Sequence, residues 1–196
     1  MITKFSTSKL SYTQRYRQMM AGAAYIPTYG LISTQLISTA AASVTFSGID
    51  QSFRHLQIVI ASRSTANGVN AATINMTLNG DTGANYASHL LGGNGSTTFS
   101  QNNTSQSAIL AVCDMGAGTT GGPEFSPAVI DILDYNKAKN KTVRGFSGTN
   151  GAAATYALKI KSGLWMSTNA ITSFTLTPNT GSFEVGSRIS VYGVVG

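Results

Sequence analysis

Apolar and polar positions alternate with a period of two along most of this chain. Val44 and Phe46 alternate with Thr45 and Ser47, and Leu56, Ile58 and Ile60 share one side of the run 53–60. Ile74, Met76 and Leu78 face away from Thr73, Asn75 and Thr77. That period is the signature of a strand with one buried face. Further strands are expected near 106–113, 127–134, 141–148, 155–166, 171–177 and 187–195. Asn-Gly pairs at 67–68, 79–80, 94–95 and 150–151 supply the left-handed residues of tight turns. Short strands at this spacing predict an all-β fold, a jelly-roll-like β-sandwich of about eight strands. Its Ile- and Val-rich faces should lie inside, leaving Thr- and Ser-rich faces for subunit packing. Segments 91–105 and 114–124, rich in Gly, Ser, Thr and Asn, read as long loops at a sandwich end.

The first segment has a different period. Ser11 and Gln14 have the spacing of a capping box, and Tyr12, Tyr16, Met19 and Met20 then fall on one side at helical spacing. Gly22 and Pro27 supply the stop. Such a short one-sided helix is not stable alone, so it needs a surface, its own domain's or a partner's. The expected organisation is an arm with helix and connector over 1–42, then the sandwich over 43–196.

Composition narrows the chemistry. Only 10% of the 196 residues are charged, against about 25% in an ordinary domain. The 42% hydrophobic content nevertheless excludes a disordered chain. The net charge of +6 is uneven: Lys4, Lys9, Arg15 and Arg17 contribute four of the six, with no acid before residue 21. The body is close to neutral, so no direct nucleic-acid binding is expected, and Lys137, Lys139, Lys141 and Arg144 read as a solvated turn. Cys113, the single cysteine, sits in an apolar run and reads as core. No run approaches the roughly 20 apolar residues of a membrane span, and the N-terminus lacks the order of a signal peptide, so no membrane role is expected.

The motifs that could carry catalysis fail on context. Gly116 to Gly121 spells G-x-G-x-x-G but runs into Gly122-Pro123 rather than a helix, so it opens no dinucleotide site. Asp81-Thr82-Gly83 follows the Asn79-Gly80 turn and reads as a hairpin loop, its Asp and Asn bonding nearby amides, rather than a protease triplet. His55 and His89 lack partners at metal-ligand spacing, and Asp131 and Asp134 point to opposite sides if their strand continues. The expectation is no catalytic residue, no metal and no cofactor.

Several phrases together resemble a family of tailed-bacteriophage virion proteins: Ser43-Val-Thr-Phe-Ser-Gly-Ile49, Arg54-His55-Leu56 and Asn79-Gly-Asp-Thr-Gly-Ala-Asn-Tyr86. The likeness continues through Val129-Ile-Asp-Ile-Leu-Asp-Tyr135, Lys141-Thr-Val-Arg144, Ser162-Gly-Leu-Trp-Met-Ser167 and Gly186-Ser-Arg-Ile-Ser-Val-Tyr-Gly193. Proteins similar to this are β-sandwich modules found as trimeric capsid decoration (cement) proteins and as distal domains of tail spikes or fibres. The resemblance implies a homotrimer in the virion, assembled in the bacterial cytoplasm, and supplies no active-site residues.

The chain has no heptad or collagen-like stalk and opens with a basic arm, which leans toward a capsid decoration protein bound to the major capsid protein. Lys4, Lys9, Tyr12, Arg15, Tyr16, Arg17, Met19 and Met20 are then the candidate partner-binding residues. The alternative is a tail module binding a receptor or cell-surface glycan, with Phe99 and Phe125 in the two loops positioned to stack on sugar rings.

Overall fold

The computed structural model describes residues 28–67, 71–117, 124–149 and 157–196. The candidate arm residues from Lys4 to Met20 and the Gly-rich stretch 118–123 lie outside them. The described residues are all-β: β1 (Tyr29–Leu36), β2 (Val44–Ser47), β3 (His55–Ser64), β4 (Ala71–Leu78), β5 (Tyr86–Gly93), β6 (Thr98–Gln106), β7 (Ile109–Ala117), β8 (Ser126–Leu133), β9 (Lys141–Thr149), β10 (Ala157–Trp165), β11 (Ser173–Pro178) and β12 (Arg188–Val194).

These twelve strands form one open sheet with two antiparallel branches. One runs β1-β12-β3-β8-β9-β10-β5-β6, and the other runs β2-β11-β4-β7. They join where the end of β3 pairs in parallel with β7, at Arg63 with Gly116 and Ser64 with Ala117. Along the chain the strands alternate between branches: β2, β4, β7 and β11 belong to one, and the strands between them to the other.

The branches touch where side chains vanish. A Cβ on Gly145 of β9 would overlap the carbonyl oxygen of Val112 in β7, and one on Gly163 of β10 would stand 2.6 Å from Ile109. Only glycine lets β7 pass this close. Around these crossings Ile58, Ile60, Ile74, Met76, Ile130, Ile132, Phe174 and Val191 form the core, with Cys113 fully buried among them. The expected Ile- and Val-rich interior is present.

The tight turn at Asn79-Gly80 forms as expected, with φ of 51° and 68° and Asp81 N–H donating to the Leu78 carbonyl. Asp81 accepts from Gly83 N–H and Asn85, as a hairpin loop requires, and also from the Trp165 indole at 2.7 Å. Four parts of the sequence reading need correction: the described residues form twelve strands and not about eight, and residues 114–117 of the second expected loop are the end of β7. Segment 91–105 is not a long loop but most of the β5–β6 hairpin, turned at Asn94-Gly95, where Asn94 Oδ1 accepts from Ser96 and Thr97 N–H. The connector, for its part, contains β1, paired to β12 from Tyr29 to Leu36.

Candidate interaction face

β10 reads Ala157-Leu-Lys-Ile-Lys-Ser-Gly-Leu-Trp165, and its alternation leaves open which set turns inward. Hydrophobicity alone would bury Leu158 and Ile160. The fold does the reverse: Lys161 is 4% exposed, whereas Leu158 and Ile160 are 56% and 52% exposed. Parity is fixed further along the strand. Trp165 must be buried against Tyr86, and Gly163 must lie under Ile109, so every second residue back to Lys159 points inward.

The inward lysines meet one acid. Asp114 of β7 is fully buried, with Lys159 Nζ 2.6 Å from its Oδ2 and no hydrogen-bond partner for Oδ1. Lys161 is buried beside this pair without a salt bridge of its own, and burial pushes its pKa down to about 8, with the charge of Asp114 opposing the shift and that of Lys159 adding to it. Phe99 lies on the same inner side, with Lys159 Nζ 5.7 Å from its ring centroid and its Cε2 and Cζ against Gly92. It is therefore a residue of strand β6 and not of a loop.

The outward side of β10 continues across its neighbours. Val59, Val129, Phe146, Ile160 and Leu91 are successive register partners on β3, β8, β9, β10 and β5. Val59, Phe146, Ile160 and Leu91 count among the exposed large hydrophobics. A second row, Pro127, Gly148 and Leu158, lies two residues along. Two concavities open on these rows, about 350 Å³ between Phe125, Pro127 and Leu158 and about 340 Å³ between Val129, Phe146 and Ile160. Phe125 lines the first of these concavities. A Thr- and Ser-rich outward face is present on the other branch, where Thr45 bonds Thr175, but not here.

A polar row bounds the apolar one. Gln57 donates to Asp131 at 2.9 Å, and Arg144 holds the other oxygen of Asp131 at 2.6 Å. Asp134 serves a different cluster: Lys139 and Arg54 bond its carboxylate and bring its pKa down to about 2, and its N–H donates to His55 Nδ1. Lys141 is fully buried, its ammonium donating to the carbonyls of Lys137 and Lys139. The lysine turn is therefore partly an internal brace as well as a solvated loop. Among the described residues, no three His, Cys, Asp or Glu side chains gather at a metal-binding spacing.

What the sequence reading missed was the outward row. Its only trace is apolar residues at both parities of one strand, as in Ile58-Val59-Ile60 and Val129-Ile130. No protein-family model matches the chain, and no curated protein matches it.

Proposed function

We propose that this chain is a structural protein of a tailed-phage virion, a decoration protein that binds the icosahedral shell and stabilises it without turnover. The observation that supports this reading best is β10, which buries lysines and presents Leu158 and Ile160 outward on a face five strands wide. An exposed apolar patch of that extent, rimmed by polar residues, is what a protein–protein contact needs. The resemblance to virion modules and the uncompensated basic arm point the same way. The proposal includes a homotrimer, closed by heterologous contacts.

We propose further that the two branches are the layers of a jelly-roll sandwich. The alternation of β2, β4, β7 and β11 with the other branch favours it, with β8–β10 in the place of one strand. The crossings at Gly145 and Gly163 are the contacts expected between such layers.

Copy number per virion, measured by quantitative mass spectrometry against the major capsid protein, tests the assignment. A number within a few-fold of the shell protein is the expected result. One hundreds of times lower would sink the capsid reading and favour a tail module, for which Phe125 beside its 350 Å³ hollow is the supporting feature. Glycan-array binding lost on Phe125→Ala would then carry that second reading.

A further inference from the structure

Reactive side chains meet where the two branches cross. Asp114 comes from β7 and Lys159 from β10, one from each branch. Their neighbours fix both. Asp114 N–H donates to Ser147 Oγ at 3.0 Å, and Ser147 is the register partner of Lys159 across the β9–β10 ladder. On its other side Lys159 pairs with Gly92, where a Cβ would lie 3.0 Å from Lys159 Cγ and 2.7 Å from the Phe99 ring, so glycine leaves the room that the lysine stem occupies. Lys159 Nζ is thereby held 2.6 Å from Asp114 Oδ2. The carboxyl carbon Cγ, one bond behind that oxygen, is within about 3.8 Å of the amine nitrogen.

An ion pair is poorly supported in this place. Asp114 is fully buried, neither of its oxygens accepts a hydrogen bond of normal geometry, and the Lys159 side chain is only 17% exposed. A buried pair repays its desolvation only when further hydrogen bonds hold both partners. Lys161 adds a second buried cation beside a single acid. Away from solvent the charged forms are the costly ones, so a proton moves from Nζ to Oδ2 and leaves a neutral amine against a neutral carboxylic acid. Those are the reactants of an amide. The packed strands hold them in contact, which turns a bimolecular encounter into an intramolecular one.

We infer that Lys159 and Asp114 are a self-modification site, at which the chain forms an isopeptide bond between β10 and β7. The contact described above is the arrangement of the reactants. Neutral Nζ attacks Cγ, the Cγ–Oδ2 bond breaks, and Oδ2 leaves as water, with the proton it has already taken and a second one from Nζ. No oxidant or cofactor is consumed, and two charges disappear from the interior. The bond ties one branch to the other at the crossing that Gly145 and Gly163 keep close. It also gives the inverted parity of β10 a use, because only that parity turns Lys159 toward Asp114. The inference stands apart from the virion assignment, since it concerns only groups inside one chain.

Intact mass spectrometry of the denatured full-length protein tests it. With any removal of Met1 counted, the parent should be lighter than its sequence by one water, about 18 Da, while Lys159→Arg and Asp114→Ala should have their full masses. Asp114→Asn should instead lose ammonia, about 17 Da, and give the same amide. Tandem mass spectrometry of proteolytic peptides should place the link between residues 114 and 159. A parent of full mass overturns the inference, and so does a loss of water that maps to any other pair, Lys161 included. The parent's mass needs no variant, so a substitution that fails to fold leaves the test intact. On a denaturing gel the closed loop between the two residues should make the parent run ahead of Lys159→Arg, and equal mobility counts against the bond.

Discussion

Lys161 is the residue at which this fold works against itself. A lysine that is 4% exposed, beside the Lys159–Asp114 pair and with no salt bridge of its own, is held in a place that favours its neutral form. Its pKa falls from 10.5 to about 8, so below pH 8 the native state carries a charge that the unfolded chain solvates better. The unfolded state binds more protons between pH 8 and 10.5, and stability from this group rises with pH across that window. At about 1.4 kcal/mol per unit the cost below pH 8 is on the order of 3 kcal/mol. Cys113 acts in the opposite sense: burial raises its thiol pKa above 9, so stability from that group falls as pH climbs past 9. The difference between Lys161→Met and the parent isolates the lysine. The variant should be more stable by up to about 3 kcal/mol at pH 7, with the gain shrinking toward pH 10.5. Urea melts at pH 7, 8.5 and 10 measure it, and a pH-independent difference would contradict the assignment.

At the scale of elements, the crossing of β7 over β9 and β10 holds the branches together, and two glycines set its closeness. Gly145→Ala drives a methyl into the Val112 carbonyl, a backbone atom that cannot rotate away, and should cost more than about 3 kcal/mol. Gly148→Ala, three residues on, meets only a Leu158 methyl at 3.7 Å and should change stability by less than about 1 kcal/mol. Equal denaturation midpoints for the two variants would show that the crossing is looser than described. Elements also differ in how far the sequence announces them. β2, β3, β4, β8 and β11 each bury one face, so their period of two is written in the residues. β6, Thr98–Gln106, is an edge strand with no buried position, and its backbone pairing with β5 leaves no hydrophobic trace. β1 is likewise an edge, with Leu31 and Leu36 left outward. In β10 the period was legible but its sign was not. Which set of alternate residues turns inward depends on Trp165 and Gly163 meeting partners 79 and 54 positions away in the chain, Tyr86 and Ile109. The outward apolar face follows from that sign and was hidden for the same reason.

For the whole molecule, charge and hydrophobicity are assigned to different parts. Most cations of the body have internal partners: Arg54 and Lys139 on Asp134, Arg63 on Glu184, Arg144 on Asp131, Lys159 on Asp114 and Lys141 on carbonyl oxygens. Four of the net six positive charges belong instead to Lys4, Lys9, Arg15 and Arg17, with no acid among the first 20 residues. If the basic arm meets an acidic shell, attachment and folding should respond differently to salt. Raising salt from 0.1 to 1 M shortens the screening length from about 10 to 3 Å, which weakens contacts between exposed charges far more than the buried pair at Asp114. Binding to particles should therefore fall roughly tenfold or more over that range, while the melting temperature moves by only a few degrees. Sedimentation of the protein with particles at both salt concentrations, alongside a melting curve in each buffer, measures the two together. Attachment that survives 1 M salt would assign the shell contact to apolar surface, and the arm's charges would lose their role in it.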